Sequence, residues 1–256
     1  MSRKRNTKIS NVVYIALNIG LALAVLFSVL SFQTVWVALV LTLMSKWRVL
    51  AVRPRFWVAN ILANTVDTIV GVSQVVLLYG ALGSLWIQIL LTVAYIAWLL
   101  IIKPLSKRSY VSLQAGVAVF YGVTALSFVA YDSYLLVFVA AMWLIGSVAA
   151  RHVLSSYDDG LVTVLSLIWG FVFAELGWLA YHWLFAYSLP TASGAKLVQI
   201  AVIATALSFL AGRIYDNHHR NNTVNLKELI LPIVFTATLV MLLVVFFNQV
   251  GVGSIL

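Results

Sequence analysis

Of the seven acidic residues in the 256-residue chain, Asp67 and Glu175 fall near the middle of long apolar runs. A carboxylate at the centre of a membrane helix costs about 2.5 to 3.5 kcal/mol on insertion scales, which favours protonation, pairing or local hydration. These two are therefore candidates for holding a proton or a small solute at membrane depth. The other five, Asp132, Asp158, Asp159, Asp216 and Glu228, fall between apolar runs, where solvated loop or cap roles account for them. No lysine or arginine is predicted at the depth of Asp67 or Glu175 to pair with either.

The neighbours of the two acids have helical spacing. Asn60, Asn64, Asp67, Gly71 and Gln74 follow at steps of 4, 3, 4 and 3, which stacks them on one helical face. Asn64 is placed to hydrogen-bond the Asp67 carboxyl. Glu175, Trp178 and His182 follow at steps of 3 and 4, with Tyr181 and Trp183 alongside. Seven residues put His182 about 10 Å from Glu175, suited to a relay through water or solute. Asn11, Tyr14 and Asn18 form a third stripe and Gln88, Thr92 and Tyr95 a fourth. Polar groups facing lipid would lack partners, so the stripes are expected to turn inward. They are then expected to meet at one site, with the two carboxyls within about 12 Å across shared water. The alternative is interhelical glue, in which Asn, Thr and Gln satisfy one another and Trp178, His182 and Trp183 anchor an outer aromatic belt.

The elements that position these residues follow from run lengths. The uncharged run Ile9 to Ser45 has 37 residues and would make a helix of about 55 Å against a hydrocarbon core of about 30 Å. It must fold back, and Ser31-Phe32-Gln33-Thr34 is the predicted turn. Spans are predicted near 10–30, 34–49, 56–79, 82–102, 110–131, 134–150, 161–187, 196–214 and 229–249. Together they make one all-α, polytopic transmembrane bundle of about nine spans over residues 1–256. Asn225 and Glu228 make a capping pair before the last span.

Charge fixes an orientation for this arrangement. With the N-terminus cytoplasmic and the C-terminus outside, 15 of the 16 basic residues lie in inner segments, Lys196 being the exception. This is the positive-inside pattern. It accounts for the net charge of +9 without a nucleic-acid partner. The composition, 63% hydrophobic and 9% charged, sets the chain apart from soluble domains, which are about 25% charged. Its solvent partner is the lipid bilayer, and a bacterial-type cytoplasmic membrane is the expected location.

Signatures of known chemistry are scarce. Cysteine is absent, which excludes thiol catalysis and Cys-based metal sites. Walker A, HExxH and GxSxG sequences are also absent, as are paired aspartate-rich motifs for magnesium diphosphate. His218 and His219 near Asp216 lack metal-ligand spacing, so no metal or cofactor is expected. The leading expectation is a transporter or permease for a small solute or proton. Asp67 and Glu175 are its midplane carboxyls, and Asn64, Asn18, Tyr95, Trp178 and His182 line its site. An intramembrane enzyme acting on a lipid, with His182 as partner to either acid, is one alternative. A non-catalytic membrane subunit or assembly factor is the other.

Overall fold

The computed structural model describes residues 3–129, 134–157, 160–182, 186–188 and 196–246. Asp132, Asp158, Asp159 and Trp183 lie outside the described residues. Described residues form nine α-helices: α1 (Arg3–Phe32), α2 (Val35–Met44), α3 (Trp57–Gly80), α4 (Leu85–Ala97), α5 (Arg108–Val129), α6 (Leu135–Leu154), α7 (Val162–His182), α8 (Gln199–Asn221) and α9 (Leu226–Phe246). Between α7 and α8, β1 (Ala186–Ser188) pairs antiparallel with β2 (Lys196–Val198).

Seven of these helical segments are long and apolar enough to cross a membrane, which supports the helical membrane class. Helices α2 and α8 fall short of that standard, so length and composition alone account for seven of the about nine predicted spans. Helix α2 has 10 residues, about 15 Å or half the hydrocarbon core. Helix α8 has 23 residues, but Arg213, Asp216 and Arg220 occupy its C-terminal half. Much of the predicted inner loop after 213 is thus helical, and the chain turns at Asn222, whose φ of 53° is left-handed.

The chain divides into two compact units, Met1–Tyr110 and Val111–Leu256. In the first, Gln33 takes a φ of 50° and reverses the chain between α1 and α2, near the predicted turn. Segment 35–52 then runs antiparallel to α3. Ala38 and Val75 share an apolar cluster with Val25, Val29 and Leu78. Farther along, Lys46 reaches Asp67, Asn60 donates its side-chain amide to the Val49 carbonyl at 3.4 Å, and the Trp57 indole donates to the carbonyls of Leu50 and Val52. Although helix α2 is short, the segment continues beside α3 through a 3-10 turn at Trp47–Val49.

Helix α4 also runs antiparallel to α3, with Gln88 donating to the Leu78 carbonyl at one end and Trp98 meeting Asp67 at the other. The Tyr14 hydroxyl of α1 donates to the Leu99 carbonyl at 3.1 Å. The unit is therefore an up-down-up-down arrangement of four helices. One end carries the start of α3 and the ends of α2 and α4, while Val25, Val29, Val75 and Leu78 pack toward the opposite end.

The second unit is organised around the antiparallel pair α6 and α7. Small residues set its spacing: Gly146 lies against Phe173, Gly170 against Ser147 and Trp143, and Gly177 against Met142. With no side chain in the way the two backbones approach closely, the means by which membrane helices gain packing contacts. Phe138, Met142 and Phe173 join Val119 and Val123 of α5, Ala201 and Ala204 of α8 and Leu243 of α9 in one buried cluster. The Gln199 side-chain amide of α8 donates to the Leu243 carbonyl of α9. At the α8–α9 turn, the buried Asn217 donates to Glu228 and accepts from the Asn225 backbone. The predicted capping pair is present, with the Asn225 side chain accepting from the Lys227 backbone and donating to Glu228.

Candidate functional site

The polar stripe on α3 sits in the interior of the first unit from Asp67 onward. Asp67, Gly71 and Gln74 are buried, and Asn60 and Asn64 are partly buried nearer the helix start. Burial of an acid among helices is sustained only by partners, and Asp67 has three side-chain donors. Lys46 and Lys103 both reach Oδ2, Lys103 at 2.8 Å, and the Trp98 indole donates to Oδ1 at 3.1 Å. Lys46 also donates to the Asp67 backbone carbonyl at 3.3 Å. One carboxylate thus ties together the ends of α2 and α4 and the first half of α3.

This overturns the expectation that Asp67 lacks a basic partner, and two local features explain the difference. Lysines near span ends are expected to extend their ammonium groups toward the membrane surface. Helix α2, however, stops at Met44, partway along α3, so Lys46 stands level with Asp67. Its side chain is only 12% exposed. At the other corner, α4 opens into a π turn over Trp98–Ile102, closed by the Lys103 amide donating to the Trp98 carbonyl. Five residues along an α-helix leave side chains about 140° apart. The wider i to i+5 turn brings them closer to one face, and Trp98 and Lys103 converge on the same carboxylate.

Tyr95 lies one α-helical turn before Trp98 and is 1% exposed. Its hydroxyl is 3.4 Å from the position a Cβ would take on Gly71, which places it beside the α3 stripe. Neither this hydroxyl nor the amide group of Gln74 has a hydrogen-bond partner among the described residues. A buried polar group without a partner costs about 1 to 3 kcal/mol. The interior thus holds one fully engaged ionic cluster and, along the same stripe, two groups able to receive water or a solute. Gly71 fits because a Cβ there would stand 2.8 Å from the Thr42 methyl.

The remaining predicted site residues are dispersed. Asn64 donates to the Asn60 carbonyl at 2.8 Å in place of Asp67, and Asn18 donates to the Tyr14 carbonyl at 2.8 Å on its own helix. Glu175, Trp178 and His182 belong to the second unit, and the face they share is exposed, contrary to the expectation that it turns inward. The reason lies on the opposite side of α7, where Ser166, Gly170, Gly177 and Ala180 are buried. Their small side chains give α6 its closest approach, so packing takes that face and leaves the polar stripe outside. The His182 Nδ1 lies 2.9 Å from the Trp178 carbonyl. A carbonyl only accepts, so Nδ1 carries the hydrogen and donates back to its own helix. Among the described residues, Glu175 has no hydrogen-bond or ion-pair partner.

Lys46, Lys103 and Trp98 are the partners of Asp67 that helical spacing does not reveal. Their positions at span ends on the same side as the start of α3 were legible signals, whereas the early end of α2 and the π turn were not. Compared with known protein families, curated proteins and solved structures, the chain matches none.

Proposed function

We propose that this multi-pass membrane protein is a transporter for a small solute bearing acceptor oxygens, with the Asp67, Lys46 and Lys103 cluster as its working site. The observation that carries this reading is the cluster's composition and setting. A buried carboxylate holds ammonium groups from the ends of two other helices, and a buried phenol and amide that have no partner among the described residues lie beside it along α3 and α4. A carboxylate- or phosphate-like solute competes with Asp67 for the lysines and accepts from the Tyr95 hydroxyl. Its binding loosens the tie among α2, α3 and α4, and its departure restores it. A gate of this kind needs a site whose internal bonds are exchangeable for solute bonds.

Under this proposal the N-terminus is cytoplasmic, and segment 35–52 crosses beside α3, completing a nine-span topology with α8. The charge partition supports it. The lysine-bearing end of the first unit then faces the cytoplasm of a bacterial-type cell.

The test is reconstitution of the purified chain in phosphatidylcholine vesicles, with uptake measured for a panel of radiolabelled small carboxylates and phosphates. Uptake above empty vesicles for at least one of them, abolished in Asp67→Asn and in Lys46→Met, is expected. Lys46→Met changes the site without placing a new charge in it. Uptake that proceeds equally in wild type and both variants refutes the assignment, as does wild-type protein that moves none of the panel.

A further inference from the structure

Helix α7 has two unlike faces. The buried one carries Ser166, Gly170, Phe173, Gly177 and Ala180 against the rest of its unit. The other carries Val164, Ile168, Phe171 and Trp178, each 44% to 65% exposed, an ordinary surface for lipid contact. Glu175 interrupts it. The residue lies seven positions before the end of the span Val162–His182, about 10 Å inside it. Hydrocarbon offers a carboxylate neither water nor donors, and such groups in spans face a partner or a hydrated cavity. Glu175 has neither hydrogen-bond nor ion-pair partner among the described residues. It lies with Val139, Ala174 and Trp178 along an open groove between α6 and α7.

We infer that this groove is the docking surface for a transmembrane helix of a partner protein, one carrying a lysine or arginine at the depth of Glu175. Charge complementarity selects the occupant. A cation on the partner removes the cost of a carboxylate facing hydrocarbon, and a polar but neutral helix leaves most of it in place. Ala174 and Val139 are small enough to admit a facing backbone, the arrangement that membrane helix pairs favour. The exposed Trp178 one turn away adds a ring face for the same cation. A second copy of this chain fits poorly, because a two-fold contact centred here sets Glu175 against Glu175. Fifteen of the chain's own 16 basic residues belong to the predicted inner segments, away from the end toward which Glu175 lies. This docking surface stands whether or not the Asp67 cluster transports anything.

Two synthetic apolar transmembrane peptides of about 20 residues, identical except for lysine or leucine at the matching depth, serve as the probe. Both are fluorophore-labelled and reconstituted with the full-length chain in neutral phosphatidylcholine vesicles, and association is read by energy transfer. The lysine peptide is expected to associate about tenfold more tightly than the leucine peptide, the scale of polar contacts between model membrane helices. That preference is expected to vanish in Glu175→Gln, which retains shape and bulk. Cysteine introduced at Val139 is expected to form a disulfide with a cysteine one turn from the peptide lysine. Equal association of the two peptides overturns the inference, as does a lysine preference that survives Glu175→Gln. Energy transfer between differently labelled copies of the chain that is lost in Glu175→Gln also overturns it, by assigning the groove to self-association.

Discussion

Replacing Asp67 with asparagine keeps the shape of the side chain and an oxygen for the Trp98 indole, but leaves Lys46 and Lys103 facing no carboxylate. The two lysines differ in exposure, and this sets the magnitude. Side chains of Lys46 and Asp67 are 12% and 9% exposed, so the scale for breaking a buried pair applies, about 3 to 5 kcal/mol. The Lys103 side chain is 36% exposed and can turn toward water, so its pair belongs on the screened surface scale of about 0 to 1 kcal/mol. Asp67→Asn is therefore expected to destabilise the protein by about 3 to 5 kcal/mol, nearly all of it through the stranded Lys46 ammonium. Adding Lys46→Met removes that stranded charge and fills its space with an apolar chain of similar length. The double variant is expected within about 1.5 kcal/mol of wild type, because apolar replacements of buried pairs are often neutral or better. Equilibrium unfolding in mixed detergent micelles, followed by tryptophan fluorescence, measures all four corners of the cycle. Ordinary interhelical hydrogen bonds in membranes couple by about 0.6 kcal/mol and at most about 1.7 kcal/mol. A coupling of about 2 kcal/mol or more identifies an ion pair that ties the helices, and a value near 0.6 kcal/mol refutes that role for Asp67.

Three further outcomes are expected. Gly170→Ala drives a methyl into the Ser147 hydroxyl and to 3.0 Å from the Trp143 ring; it should cost about 1 to 3 kcal/mol in the same unfolding assay, with part recovered on adding Ser147→Ala. Asn217, 1% exposed, should cost about 1 to 3 kcal/mol on conversion to alanine through its lost bonds to Glu228 and Asn225. Arg220, whose side chain is 56% exposed, should cost at most about 1 kcal/mol despite two ion pairs, so the reverse order would refute the burial argument. Because the chain has no cysteine, single cysteines at Phe32 and Leu50 can be labelled in intact cells and inverted vesicles. Labelling of 32 from outside and 50 from inside is expected, and labelling of both from one side removes the crossing of segment 35–52.

The membrane class, the turn near Gln33, the Asn225 cap and the burial of Asp67, Gly71 and Gln74 were legible in the sequence because each depends on neighbours a few residues away. Run length against bilayer thickness identifies a span, and steps of three and four assign a helical face, without knowledge of the fold. The partners of Asp67 were not legible in this way. They come from 21 residues before it and from 31 and 36 residues after it, and their convergence depends on where α2 stops and where α4 widens into a π turn. Lysine stems are long enough to point toward the membrane surface or into the bundle, and only the level of a helix end beside its neighbour selects between them. The direction of the Glu175 stripe was decided similarly. Helix α7 is apolar on nearly every side, so hydrophobic periodicity leaves its rotation open. What chose the packed face was the row of small residues from Ser166 to Ala180 meeting α6, because the closest backbone approach gives the most dispersion contact in a medium where apolar burial distinguishes no face from another.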